Sequence, residues 1–263
     1  MPDILLIQPP IHDFYLTAKR TMPYGLASVA ATLRREGFSV EIFDALATSK
    51  ARILPWPSEM HHLTPFYGRP DRSPFGLFHY FRHFGYSIEH IVRQAKASGA
   101  FLIGISALFS AYSETALATA AAVKTALPQV SIVMGGHHAT ALPEVVMQNA
   151  AVDYVLRGDG EVGMPLLARA LRQGSPLDDV PGLVRRLPDG SLSVGEPAYV
   201  RNLNTLPLPA FDLIRWAHYQ RSGRGSVALS ATRGCPFGCS YCAVNAFSGQ
   251  GFRYRSVDAV MAE

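Results

Sequence analysis

The residues of this 263-residue chain best suited to chemistry sit in one short stretch. Thr232-Arg233-Gly234-Cys235-Pro236-Phe237-Gly238-Cys239-Ser240-Tyr241-Cys242 contains all three of its cysteines. Spaced C-x3-C-x2-C, they form an odd, crowded set. The Met-Pro-Asp-Ile-Leu-Leu-Ile start has no export signal, so the set argues against a disulfide framework and for metal or redox chemistry. Thiolates hold iron-sulfur clusters, and a cubane held by only three of them keeps one iron open for chemistry. The competing reading is zinc, whose structural sites take four protein ligands. With no fourth cysteine, a remote histidine would have to complete a Cys3His set.

A predicted strand, Val227 to Ala231, runs directly into this loop. C-x3-C-x-aromatic-C after a strand, preceded by Arg-Gly, resembles the signature of the radical S-adenosylmethionine enzymes. The resemblance implies that Cys235, Cys239 and Cys242 hold a [4Fe-4S] cluster, that the open iron takes the amino and carboxylate groups of S-adenosylmethionine, and that Tyr241 lies near the adenine. An electron from a donor such as flavodoxin or ferredoxin would then release a 5'-deoxyadenosyl radical that abstracts hydrogen from substrate.

The elements ahead of the loop must position it. Residues 1–175 alternate short β-rich runs (Ile4 to Gln8, Val40 to Phe43, Phe101 to Ser106, Ser131 to Met134, Tyr154 to Leu156) with helical patterns at Gly25 to Glu36, Ser87 to Ala97, Ser113 to Ala126, Pro143 to Asn149 and Pro165 to Arg172. Gly37, Gly99 and Pro128 stop the first three helices. Such β-α units predict an α/β, doubly wound, Rossmann-like (flavodoxin-like) parallel sheet, with ligands at the carboxyl ends of the strands. Residues 45–85, rich in Pro, His and aromatics, exceed a normal connection and read as an insertion or lid. Residues 176–225 read as a linker with a hairpin around Pro188-Asp189-Gly190, and residues 226–263 as the first β-α unit of a truncated radical S-adenosylmethionine partial TIM barrel.

The third strand leads into Ser106-Ala107-Leu108 and the fourth into Gly135-Gly136-His137-His138. These resemble the S-x-L and Gly-Gly elements of cobalamin-binding domains, in which a small hydroxyl residue and two residues without Cβ open a slot for the dimethylbenzimidazole tail. The resemblance implies that Ser106, Leu108, Gly135, Gly136 and Gly158 contact cobalamin. Arg157-Gly158-Asp159-Gly160-Glu161 is similar to that subfamily's R-G-E-G-E stretch, and Met22-Pro23-Tyr24-Gly25-Leu26 to its first-helix entry. The D-x-H-x-x-G element is absent. In its place stands Gln8-Pro9-Pro10-Ile11-His12-Asp13-Phe14, so no lower axial histidine is assigned, and a surface or hydrogen-bonded role suits His12 at least as well as cobalt ligation.

Other patterns are set aside. Gly158-Asp159-Gly160-Glu161-Val162-Gly163 satisfies G-x-G-x-x-G with Asp178 downstream, but it sits on the fifth unit and would place two carboxylates beside a pyrophosphate. His61-His62, His137-His138 and the His79/His83 pair lack supporting ligands and are assigned no metal, and the aromatic run Phe75 to Tyr86 reads as a local core. A net charge of +4, from 24 basic and 20 acidic residues, gives no nucleic-acid surface, and no uncharged run reads as a membrane span. The expectation is a cytoplasmic, cobalamin-dependent radical S-adenosylmethionine enzyme, shorter than a full barrel requires. It would transfer a methyl group to, cyclise or rearrange an unidentified small-molecule or peptide substrate. The alternative is a non-catalytic cobalamin-binding module, a corrinoid carrier or sensor.

Overall fold

Ile4–Gln8 (β1) is an apolar run buried on both faces, as a parallel strand covered by helices on both sides must be. It pairs in parallel with Val40–Asp44 (β2) on one side and Leu102–Ser106 (β3) on the other. Ser131–Gly135 (β4) and Tyr154–Leu156 (β5) continue outward from β3, also in parallel. The parallel order is therefore 2-1-3-4-5, the flavodoxin-like order expected, and its switch point lies between β1 and β3. The structure is a computed structural model and describes residues 1–15, 22–67, 80–221, 223–249 and 251–263.

Period-two alternation divides the core. Ile4 and Leu6 of β1, with Leu102, Val133 and Leu156, pack under helices Tyr24–Arg35 (α1) and Gly160–Gln173 (α4). Leu5 and Ile7, with Ile103, Ile105 and Met134, pack under Ile88–Ser98 (α2) and Ser113–Ala126 (α3). Ser87 caps α2 by accepting from the His90 N–H at 3.3 Å, and Gly99 ends it at φ 65°. The sequence put the start of α4 at Pro165, but the helix begins at Gly160 and carries the proline inside it. Its early start is locked by packing, since a Cβ on Gly163 would come within 2.7 Å of both Leu156 and the Pro181 carbonyl.

The expected hairpin forms, as Leu183–Arg186 (β6) and Leu192–Val194 (β7). It is no free linker. β6 pairs antiparallel with β5, covering what would be an open edge and giving a seven-stranded sheet ordered β7-β6-β5-β4-β3-β1-β2. The chain then wraps α1: the Ala210 N–H donates to Ala27 O at 2.9 Å, Arg34 pairs with Asp212 at 2.8 Å, and Tyr219 is buried with its hydroxyl on Asp44.

Val227 to Ala231 was expected as a strand, but it forms none. The stretch is mostly exposed and finds no ladder partner among the described residues; a two-residue strand, Thr232–Arg233, pairs instead with Arg253–Tyr254. The end of the stretch alone is tied to a neighbouring strand among the described residues, by the Arg255 N–H donating to Ala231 O at 2.9 Å. Within residues 45–85, Ala51–Ile53 and Arg82–Phe84 join Ile11–Asp13 in a small antiparallel sheet over a cluster of Ile11, Leu46 and Phe84. Phe75 and His79 lie outside the described residues.

That small sheet accounts for His12. Its Nε2 lies 3.1 Å from His83 Nδ1, and His83 Nε2 lies 3.2 Å from the Tyr86 carbonyl. A carbonyl only accepts, so His83 carries its proton on Nε2 and His12 donates to its bare Nδ1. Burial pushes both imidazoles below the ordinary histidine range; His83 lowers His12 further. The pair's stabilisation is therefore complete above the unfolded-state value of about 6.5 and drains away as pH falls below it. Between pH 7.5 and 5.5 the melting temperature of the wild type should fall further than that of a His12→Gln/His83→Gln variant, and equal falls would exclude the pair as the cause.

Candidate functional site

The carboxyl ends of β1, β3, β4 and β5 open into a cavity of about 960 Å³ at the switch point, and Ser106, Leu108, Gly135, Gly136 and Gly158 all line it. Met22, Pro23 and Tyr24, from the entry to α1, form part of another wall. The loop after β1 contributes Ile11 and Tyr15; His12, turned to His83, does not line the space.

The glycines there serve different ends. Gly135 stands opposite Ser106 in the ladder, and a Cβ on it would meet only the Leu156 carbonyl oxygen, at an ordinary 3.7 Å. The backbone thus has room for a side chain, and the room is the cavity itself. Gly136 adopts φ 111°, and a Cβ would fall 2.7 Å from Ala107 O; its conformation lets His137–Ala141 begin a short helix at once. Gly158, at φ 89°, lies against Ala198, whose carbonyl oxygen would sit 2.1 Å from a Cβ. Its lack of a side chain answers to the strand-like bridge with Ala198 as well as to the cavity.

Every side chain of Arg157-Gly158-Asp159-Gly160-Glu161 is engaged. Arg157 donates to Thr140 O at 3.1 Å and Gly195 O at 2.9 Å, and the Thr140 hydroxyl accepts from the Gly158 N–H at 3.0 Å. Asp159 holds Arg233 at 3.1 Å, Arg253, and the Val200 N–H at 2.9 Å. Glu161, its side chain only 4% exposed, takes Arg233 at 2.6 Å and the Ser28 hydroxyl at 2.6 Å. Burial works against the Arg233 charge, but Glu161 and then Asp159 more than offset it and keep the guanidinium protonated above its ordinary value. The G-x-G-x-x-G pattern is thus engaged in internal packing and ion pairs.

A second contact joins the same parts. The His137 ring stacks on Phe247 of the short helix Val244–Ser248, centroids 3.9 Å apart at 20°, and both line the cavity. Burial lowers the His137 pKa, against the pull of Asp159. His138 points away, with Nδ1 2.9 Å from the Ser110 hydroxyl.

Arg233 and Gly234 reach the cavity wall, and Cys235 follows them, half-buried; Cys239 and Cys242 are exposed, and all three are free thiols. Soft, unpaired thiols on one loop suit an iron-sulfur cluster by donor chemistry. Among the described residues, however, no three of His, Cys, Asp or Glu are gathered closely enough to hold a metal ion. Tyr241 is 90% exposed and does not line the cavity. The cavity's fit is more direct, since it is of a size for a large organic cofactor and a side chain on Gly135 would take up part of it.

Residues 79–168 match the B12 binding domain family. Over 248 residues it is 27% identical to the hopanoid C-3 methylase of Methylococcus capsulatus, a match covering 93% of this chain and 40% of that protein. Among solved structures it resembles the cobalamin-dependent S-adenosylmethionine radical enzyme OxsB with aqua-cobalamin and S-adenosylmethionine bound (TM-score 0.71, 16% identity, 100% of this chain and 31% of that one). It also resembles the radical S-adenosylmethionine methyltransferase TsrM of Kitasatospora setae with cobalamin and a [4Fe-4S] cluster bound (TM-score 0.61, 18% identity, 100% and 45%). At these identities the structural likenesses show the fold, and the chain spans 35% to 51% of the length of three curated relatives it matches. The resemblance read from the sequence, to cobalamin-binding radical S-adenosylmethionine proteins, is borne out. No helix among the described residues is long and apolar enough to cross a membrane.

Sequence reasoning missed the pairing of Asp159 and Glu161 with the arginines that flank the cysteine loop. Both motifs were on view with opposite charges, but 72 residues separate Glu161 from Arg233. The glycine geometry yields a test. Gly158→Ala should lose about 2 kcal/mol, lowering the melting temperature by roughly 4–8 °C, whereas Gly135→Ala should melt within roughly 2 °C of wild type. Equal losses would show that the two glycines do not differ as described.

Proposed function

We propose that this chain is the cofactor-holding portion of a cobalamin-dependent radical S-adenosylmethionine enzyme, with residues 1–175 binding cobalamin and residues 226–263 beginning the domain that holds the cluster. The observation that carries this reading is a single cavity, walled on one side by Ser106, Gly135 and Gly136 and on the other by the Arg233-Gly234 entry to Cys235. In this reading Cys235, Cys239 and Cys242 ligate the [4Fe-4S] cluster, Tyr241 borders the adenine of S-adenosylmethionine, and Ser106, Leu108, Gly135, Gly136 and Gly158 face cobalamin. When bound, these cofactors supply one-electron cleavage of S-adenosylmethionine and a cobalt-borne methyl or electron carrier, with the electron drawn from a donor such as flavodoxin or ferredoxin.

The chain's own part is positioning. Gly135 leaves the slot open, and Gly136 turns the backbone so that His137 forms part of the wall rather than filling the space. Apolar side chains such as Leu6, Val133 and Met164 line the cavity and exclude water from its depth. The reaction is methyl transfer to, or cyclisation or rearrangement of, a small-molecule or peptide substrate in a soluble, cytoplasmic setting.

Anaerobic reconstitution tests the reading. The wild type should take up about four irons per chain and one cobalamin. A Cys235→Ala/Cys239→Ala/Cys242→Ala variant should lose the iron and keep the cobalamin, and Gly135→Trp should lose at least tenfold in cobalamin affinity. Equal iron in the wild type and the triple variant would overturn the radical assignment and leave a corrinoid carrier or sensor, while undiminished cobalamin binding by Gly135→Trp would overturn the slot.

A further inference from the structure

The two strands that close the cysteine loop carry an electrostatic conflict. In the ribbon formed by Thr232–Arg233 and Arg253–Tyr254, Arg233 stands directly opposite Arg253. Like charges facing across a strand pair repel, and two residues per strand supply few hydrogen bonds to oppose them. The ribbon forms here with carboxylates at both guanidinium groups. Asp159 takes Arg233 at 3.1 Å and also pairs with Arg253, while Glu161 takes Arg233 at 2.6 Å. All four side chains are at least four-fifths buried. Arg253 is further fixed by Val200 O at 3.0 Å, Ser248 O at 2.9 Å and the Tyr199 ring at 5.0 Å.

Everything between the two arginines, including Cys235, Cys239 and Cys242, is therefore closed off by a ribbon whose charges are neutralised by the doubly wound domain. The Gly251 N–H donates to Cys235 O at 3.0 Å just inside the ribbon, and the His137–Phe247 stack holds the far side of the loop to the same domain.

We propose that Asp159 and Glu161 are positioning residues: by neutralising the Arg233–Arg253 pair they couple closure of the cysteine loop to its seating on the cobalamin cavity. The coupling sets where the loop stands relative to the cavity, and its catalytic meaning rests on the proposed function above. Arg233 serves through its fork, one nitrogen to each carboxylate, which a lysine cannot reproduce.

Hydrogen–deuterium exchange on the 263-residue chain, without cofactors, decides the matter. In Glu161→Gln and in Arg233→Lys, amides in residues 232–254 should exchange at least tenfold faster, while β3 and β4 keep wild-type rates. Should Glu161→Gln fail to fold, Arg233→Lys leaves both buried carboxylates facing a cation and carries the test. Unchanged exchange in 232–254, or equal acceleration in β3 and β4, would overturn the proposal. In reconstituted protein, pulsed EPR between cob(II)alamin and the reduced cluster should give one narrow distance distribution in wild type and a broadened one in Arg233→Lys. An unbroadened distribution would also overturn it. Failure of the wild type to take up cobalamin or iron would sink the functional reading alone, since the exchange measurement needs neither.

Discussion

A carboxylate withdrawn from water must be met by charge and hydrogen bonds, and Glu161 is nearly fully withdrawn at the first turn of α4. Its partners, Ser28 from α1 and Arg233 from the segment that carries the cysteines, come from parts of the chain far apart in sequence. Asp159 extends the arrangement to Arg253 and to the Val200 backbone. Removing one member of such a set strands the others in a poorly solvated place, a loss on the order of 3–5 kcal/mol for fully buried pairs and less here, where the arginines keep some exposure. The network therefore gives the segment after Gly225 one position on the domain before it.

The cavity depends on that position. The switch point between β1 and β3 would by itself provide an open crevice, as it does in any doubly wound sheet. Arg233, Gly234 and Phe247 turn the crevice into a chamber with a wall from the cysteine-bearing segment. The strap from Leu203 to Tyr219 contributes indirectly, since packing against α1 delivers the chain to the correct rim of the sheet.

Much of this was legible in the sequence. β1, β5 and α3 lie where apolar runs and helical periodicity put them, because their burial is two-sided or sharply one-sided and no competing conformation satisfies the pattern. The start of α4 was misplaced because Pro165 reads as a first-turn residue, whereas Gly163 and the tertiary contacts of Leu156 and Pro181 carry the helix past it. The strand at Val227 to Ala231 was expected from its apolar, β-branched start, yet a strand exists only with a partner to complete its hydrogen bonds.

The sequence by itself determined the doubly wound order of elements and the thiol chemistry available at Cys235, Cys239 and Cys242, because periodicity and side-chain chemistry are local properties, and it singled out Ser106, Gly135 and Gly136, which line the cavity. Only the tertiary structure decided that Gly158 answers to Ala198, that His12 belongs to His83, and that Asp159 and Glu161 neutralise the arginines around the cysteine loop. Those relations join residues far apart along the chain, and the electrostatic and steric terms that select them exist only once the backbone has brought them within a few ångströms.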